Sequence, residues 1–162
     1  MSQSNPFRSL WRVLVQGASD RVLRRQTMAP DAQLGRQGEE AAYWHLRSQG
    51  FIMVERNYRP QGLHGEIDLI GWEGEVLVFV EVKTRRSTAL VTPEAAVDRE
   101  KQRHLIAAAH QYRQRAKASE RQFRFDIVSI VMERESATAK PSMKELSHFR
   151  DAFRAAEAGN AR

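Results

Sequence analysis

Two apolar runs, Ile67 to Gly71 and Val76 to Val82, stand either side of a short polar segment that contains Gly74. The second run is rich in valine, so the pattern predicts a β-hairpin. Upstream, Leu34, Ala41, Ala42, Trp44 and Leu46 mark the apolar side of a helix over 32–49, which Gly50 stops. Phe51 to Glu55 reads as a strand, Arg56-Asn57-Tyr58-Arg59-Pro60 leads out of it, and Gln61 to Gly65 forms a loop that delivers the chain to the hairpin. Downstream, Thr92-Pro93-Glu94 opens a second helix, with threonine as its cap and proline at its first position. Val97, Leu105, Ala108 and Tyr112 recur at helical spacing along it, and Lys101 falls in the same stripe. Phe123 to Met132 predicts a strand beside the hairpin. A polar linker over 133–142 then precedes a short closing segment with Leu146, Phe149, Ala152 and Phe153 as its apolar positions. This order of elements defines an α/β fold, with helices able to cover a mixed sheet.

Charges interrupt the hairpin where a purely structural sheet would carry none. Side chains alternate faces along a strand, so Glu66 and Asp68 share one face, as do Glu81 and Lys83. With Glu73-Gly74 as the two-residue turn, Glu66 stands opposite Glu81, and Asp68 stands opposite Phe79 with Glu81 on its diagonal. All four groups then project from one face. Carboxylates at that distance repel, and burial beside Val and Ile adds a desolvation cost. A divalent cation reverses the sign: Mg²⁺ takes one or two carboxylates and leaves its other positions to water and phosphate oxygens. Lys83 would then sit beside the metal, placed to hold a phosphate or orient a hydroxide.

The whole chain narrows the choice of partner. Its 162 residues suit one domain with short extensions, and 26 Lys and Arg against 20 Asp and Glu favour an anionic partner, nucleic acid first. Cysteine is absent, which excludes disulfides and cysteine-based zinc sites and fits a cytoplasmic location. No apolar run reaches the roughly 18 residues of a transmembrane helix. Residues 1–32 read as a basic N-terminal extension in which Leu10, Trp11 and Val13 to Val15 interleave with Arg8, Arg12, Arg21, Arg24 and Arg25. Such a segment suits contact with DNA, with an anionic membrane surface or with a partner protein. Arg56, Tyr58 and Arg59 could touch phosphates or stack on a base, and Arg85 and Arg86 prolong the basic edge past Lys83. Asp126 reads as structural, and His64 as an ordinary surface histidine.

The motifs Gly35-Arg36-Gln37-Gly38-Glu39-Glu40-Ala41-Ala42, Arg56-Asn57-Tyr58-Arg59, Gly65-Glu66-Ile67-Asp68-Leu69-Ile70, Phe79-Val80-Glu81-Val82-Lys83-Thr84-Arg85 and Arg124-Phe125-Asp126-Ile127-Val128 stand in that order. Together they resemble the YraN-type family of predicted bacterial nucleases, over roughly residues 33–153. Asp68 with Glu81-Val82-Lys83 is similar to the core of the wider PD-(D/E)XK superfamily, which includes restriction endonucleases and archaeal Holliday junction resolvases, although Ile67 stands where the superfamily name has proline. The resemblance implies a restriction-endonuclease-like mixed β-sheet flanked by helices, with a nuclease domain over 33–153; the residues after it, 154–162, read as a flexible tail. It implies a metal-dependent endonuclease, with Mg²⁺ or Mn²⁺ on Asp68 and Glu81, helped by Glu39 or Glu66, and with Lys83 and Lys101 as basic catalytic groups. Branched DNA is the first substrate it suggests, and a homodimer would supply the two sites a junction needs. Two other readings stay open: a nucleic-acid-binding module on a nuclease scaffold without turnover of its own, and an interaction protein working through its N-terminal arm.

Overall fold

The computed structural model describes residues 30–86, 99–134 and 139–154. Its elements are α1 (Pro30–Ser48), β1 (Ile52–Tyr58), β2 (Ile67–Glu73), β3 (Val76–Arg86), α2 (Arg99–Arg115), β4 (Phe123–Glu133) and β5 (Ser142–Phe153). The chain divides into two units between Gln33 and Leu34, and the sheet lies in the second. Helix α1 ends as its glycine requires: Gly50 turns to φ 89°, and the amides of Gly50 and Phe51 close back onto the carbonyls of Arg47 and Leu46 at 3.1 Å each.

The strands form one sheet in the order β1-β2-β3-β4-β5. β1 pairs antiparallel with β2 and β2 antiparallel with β3, β4 lies parallel to β3, and β5 returns antiparallel to β4. A parallel neighbour demands a long crossover, and α2 lies within the segment that makes it. Alternation along β3 sends its side chains into two cores. Leu77 and Phe79 pack with Leu105, Ala108 and Tyr112 of α2, whereas Val78 and Val80 pack with Leu34, Ala42 and Leu46 of α1. The molecule is therefore an α/β protein with a five-stranded mixed sheet and, among the described residues, two helices, a restriction-endonuclease-like arrangement. No helix among the described residues is long and apolar enough to cross a membrane.

Several expectations change. The hairpin turns at Gly74-Glu75, not Glu73-Gly74, because Glu73 pairs with Val76 and Gly74 takes the first turn position at φ 58°. A two-residue loop needs φ > 0 there, and glycine meets that need without steric cost. β1 continues through Arg56 and Asn57 to Tyr58, the residues expected to lead out of it, and carries a bulge between Met53 and Glu55. The closing segment is an edge strand, β5. Trp44, placed on the apolar side of the first helix, is 55% exposed, while Leu34, Ala42 and Leu46 face inward. Residues 1–29, the Thr92-Pro93 helix start and residues 155–162 lie outside the described residues.

Candidate active site

The β2–β3 ladder is paired from Glu73 with Val76 out to Leu69 with Val80, and one further step of that register brings Asp68 opposite Glu81. The expected pairing of Glu66 with Glu81 and of Asp68 with Phe79 is thereby corrected: Ile70 stands opposite Phe79, and Glu66 lies outside the strand. The two carboxyl groups now share the α2 face, with exposures of 7% for Asp68 and 4% for Glu81. Asp68 Oδ2 accepts a 2.7 Å hydrogen bond from the Val82 amide, which holds its carboxyl against β3.

Three cationic or polar groups answer this concentration of negative charge unequally. Lys83 Nζ lies 2.9 Å from Glu81 Oε1, and Lys101 Nζ, from α2, lies 3.3 Å from Glu81 Oε2. Oε2 is buried and makes no hydrogen bond. Asp68 is worse served: burial, then the Glu81 charge, pushes its pKa up to about 7, against the pull of the Val82 amide, and Glu39 adds to the rise. Glu39, half-buried on α1, is also raised by burial, with the Asn57 side chain and Arg56 acting against the shift. Asp68, Glu81, Glu39, Lys83 and Lys101 are thus brought into one electrostatic neighbourhood by β2, β3, α1 and α2. Glu66 pairs with Arg59 at 2.9 Å, and its charge acts on Glu39.

Two carboxylates suffice for a hard cation whose remaining positions go to water and phosphate. Among the described residues no three His, Cys, Asp or Glu side chains converge closely enough to hold a metal by themselves. The donor set of Asp68 and Glu81, with one buried oxygen lacking a hydrogen bond, fits a cation of that kind and does not fit a closed structural site.

Of the residues expected to contact nucleic acid, Tyr58 is corrected. It is 4% exposed at the end of β1, edge-on to Tyr112 at 5.1 Å, so no base can stack on it. Arg59 is exposed beside Glu66, Arg86 is exposed, and Arg85 donates to Ser129 Oγ at 2.9 Å. Arg56 pairs with Glu40 at 2.8 Å and lies over the Tyr43 ring at 4.6 Å.

Two residues have roles that pattern alone did not suggest. Gln111, on α2, accepts from the Gln61 amide at 2.8 Å and donates to the Gln61 carbonyl at 2.9 Å, while Tyr58 Oη donates to it at 3.1 Å. This amide clamp ties the loop before Asp68 to the helix that carries Lys101. Asn57 takes φ 53° and hydrogen-bonds Glu39; the tolerance of asparagine for that conformation was the available signal. Asp126 sits on the opposite, α1-facing side of the sheet, paired with Arg124 and His148, and serves structure as expected.

Sheet, helices and paired carboxylates together place the protein in the α/β class with a restriction-endonuclease-like core. The chain belongs to the Uncharacterised protein family UPF0102, whose model matches residues 38–130, so the resemblance to the YraN-type family holds at the level of the family. Relatives described as UPF0102 proteins include one from Solibacter usitatus, 48% identical over 120 residues, covering 74% of this chain and 89% of the relative. One from Caldicellulosiruptor saccharolyticus is 39% identical over 121 residues, covering 75% and 97% of the two chains. Another, from Geotalea uraniireducens, is 37% identical over 131 residues, covering 81% and 97%.

Proposed function

We propose that this protein is a metal-dependent nuclease that hydrolyses phosphodiester bonds of nucleic acid. The observation that carries the reading is the burial of Asp68 and Glu81 on neighbouring strands, one residue beyond the Leu69–Val80 pair, with Lys83 and Lys101 both directed at the Glu81 carboxylate. A sheet gains no stability from two facing buried carboxylates, which supports a role for them in holding a cationic ligand.

Asp68 and Glu81 would hold Mg²⁺ or Mn²⁺, with Glu39 close enough to add charge from α1. When bound, the metal supplies a Lewis acid for a phosphoryl oxygen and an acidified water. The chain's own groups do the rest. Lys83 and Lys101 reach the same carboxylate from the strand and from the helix, so their ammonium groups flank the position where negative charge would develop on a phosphate. Val82 holds Asp68 in a fixed rotamer through its amide, which limits reorganisation at the reacting centre. Arg59 and Arg86 lie exposed at the margins, where phosphate contacts position a strand without reading its sequence.

The test is cleavage of labelled single-stranded, duplex, flap and four-way-junction DNA with Mg²⁺, Mn²⁺ or EDTA, comparing the wild type with Asp68→Ala and Lys83→Ala. The expected result is cutting that needs metal and is lost in both variants. Cutting that survives both substitutions overturns the assignment. Salt-dependent binding without cutting, indifferent to metal and to Asp68, would instead make the protein a binding module on a nuclease scaffold.

A further inference from the structure

Trp44 is more exposed than any other large apolar side chain among the described residues, at 55%, yet its ring is not free to swing. Its Nε1–H donates to Glu40 Oε1 at 2.8 Å, and Tyr43 meets it edge-on at 5.3 Å and 88°. Arg47 lies 5.4 Å from its centroid, and Arg56 covers neighbouring Tyr43. Glu40 serves Arg56 and the indole together, at 2.8 Å each, so the nearby acid is spent within the cluster.

We infer that this cluster is a stacking platform for an unpaired base of a single-stranded nucleic acid. A held indole offers every base the same π-face, and the guanidinium groups beside it favour the phosphate that follows the base. A protein contact would call for an apolar surround, but Glu40, Arg47 and Ser48, one turn either side of Trp44, are all exposed and polar. The platform and the candidate active site share α1. Glu39 lies five residues before Trp44, about 7–8 Å along the axis and about 140° around it, so a strand on the platform would have to pass around the helix to reach the site. Arg56 links them, since it pairs with Glu40 and its charge acts on Glu39. The inference rests on the nuclease reading and narrows its substrate: the strand is unpaired on one side of the bond to be cut, as at a frayed end, a flap or a single strand.

The experiment measures binding in EDTA, where cleavage does not enter. Fluorescence anisotropy of a labelled oligothymidylate and of a blunt duplex is followed for the wild type, Trp44→Ala, Trp44→Phe and Arg47→Ala, with circular dichroism confirming that each folds. Trp44→Ala is expected to weaken single-strand binding about tenfold and duplex binding less than twofold, while Trp44→Phe keeps most of the affinity. Arg47→Ala should lower the slope of log affinity against log salt by about one phosphate contact. Equal loss on both probes, or no loss on either, overturns the platform and leaves the nuclease reading standing. A wild type that binds neither probe overturns the platform, and the nuclease reading then stands or falls on the cleavage assay. A change in oligomeric state with Trp44→Ala, at unchanged oligonucleotide affinity, assigns the surface to a second copy of the chain.

Discussion

Asp68 decides how stability should depend on pH. Its pKa of about 7 in the folded protein stands well above the ordinary 3.8. Well below pH 3.8 the carboxyl is protonated whether the chain is folded or not. As pH rises, the unfolded chain gives up that proton first, so the contribution to stability declines until the folded-state value near 7 has been passed. Asp68→Asn removes the charge and an Asn carbonyl can still accept from Val82, so in EDTA at pH 8 the variant should be more stable by on the order of 1–3 kcal/mol. Chemical denaturation at pH 5 and pH 8 checks this, and an unchanged difference between wild type and variant at the two pH values refutes it. Mg²⁺ or Mn²⁺ added at pH 8 should raise the melting temperature of the wild type and leave that of Asp68→Asn where it was. The same residue was legible in the sequence as a charge out of place, because a carboxylate inside an apolar strand is conspicuous without any structure.

Elements come together through small residues and single side chains that no periodicity reveals. Gly38 lies on the face of α1 turned to β3, and a Cβ there would fall 2.9 Å from both Cβ and Cγ2 of Thr84. Gly38→Ala should therefore cost about 1–3 kcal/mol despite the gain in helix propensity, with Thr84→Ala recovering part of it in the double variant. Loss of stability smaller than 0.5 kcal/mol in urea denaturation would show that α1 can shift away from the sheet at little cost. Gln111 acts between elements in a similar way. Its amide supplies the Gln61 backbone with both partners that a neighbouring strand would otherwise provide. Gln111→Ala should expose that amide to exchange, at a cost of about 1–2 kcal/mol, and slow cleavage through loss of loop position; hydrogen exchange at Gln61 matching the wild type would refute it. The hairpin register belongs to this scale too. Turns at Glu73-Gly74 and at Gly74-Glu75 differ by two residues in pairing and so leave every side chain on the same face. The sharing of one face by Asp68 and Glu81 was therefore readable, while the identity of each one's partner was not.

At the scale of the molecule, the two faces of the sheet carry two different uses of buried charge. On the α2 face Asp68 accepts from the Val82 amide, and the buried Oε2 of Glu81 makes no hydrogen bond. On the α1 face Asp126 is fully buried but answered from every side: Arg124 pairs with both its oxygens at 2.9 and 3.0 Å, His148 reaches it at 2.8 Å, and the Asp151 amide donates at 3.0 Å. Burial alone would raise Asp126, but His148, Arg124 and that amide together hold it below its ordinary pKa. Its contribution to stability is thus present above the unfolded value of 3.8 and is lost as the pH falls through the lower, folded one. Asp126→Ala leaves the half-buried Arg124 with Glu73 as its remaining partner at 2.8 Å and detaches the β5 backbone at Asp151. The variant should lose about 3–5 kcal/mol, read as a large drop in urea midpoint at pH 7 that shrinks at pH 3. A loss equal at both pH values would place the effect in packing and not in charge.

Local pattern determined the α/β order, the hairpin, the helix stop at Gly50 and the presence of Asp68, Glu81 and Lys83 on one face, because these follow from the periods of side chains along single elements. Local pattern also misplaced Trp44 and Tyr58. Each is a large aromatic at a position that suits either surface or core, and only the packing of neighbouring elements turned the first outward and buried the second. Tertiary structure alone decided that Lys101 reaches Glu81 from α2, that Glu39 stands near Asp68 and that Gln111 ties the loop to α2, since these groups are far apart in the chain. Their approach depends on which face of the sheet each helix covers. That choice is made by the sum of the two cores, a quantity no single stretch of sequence carries.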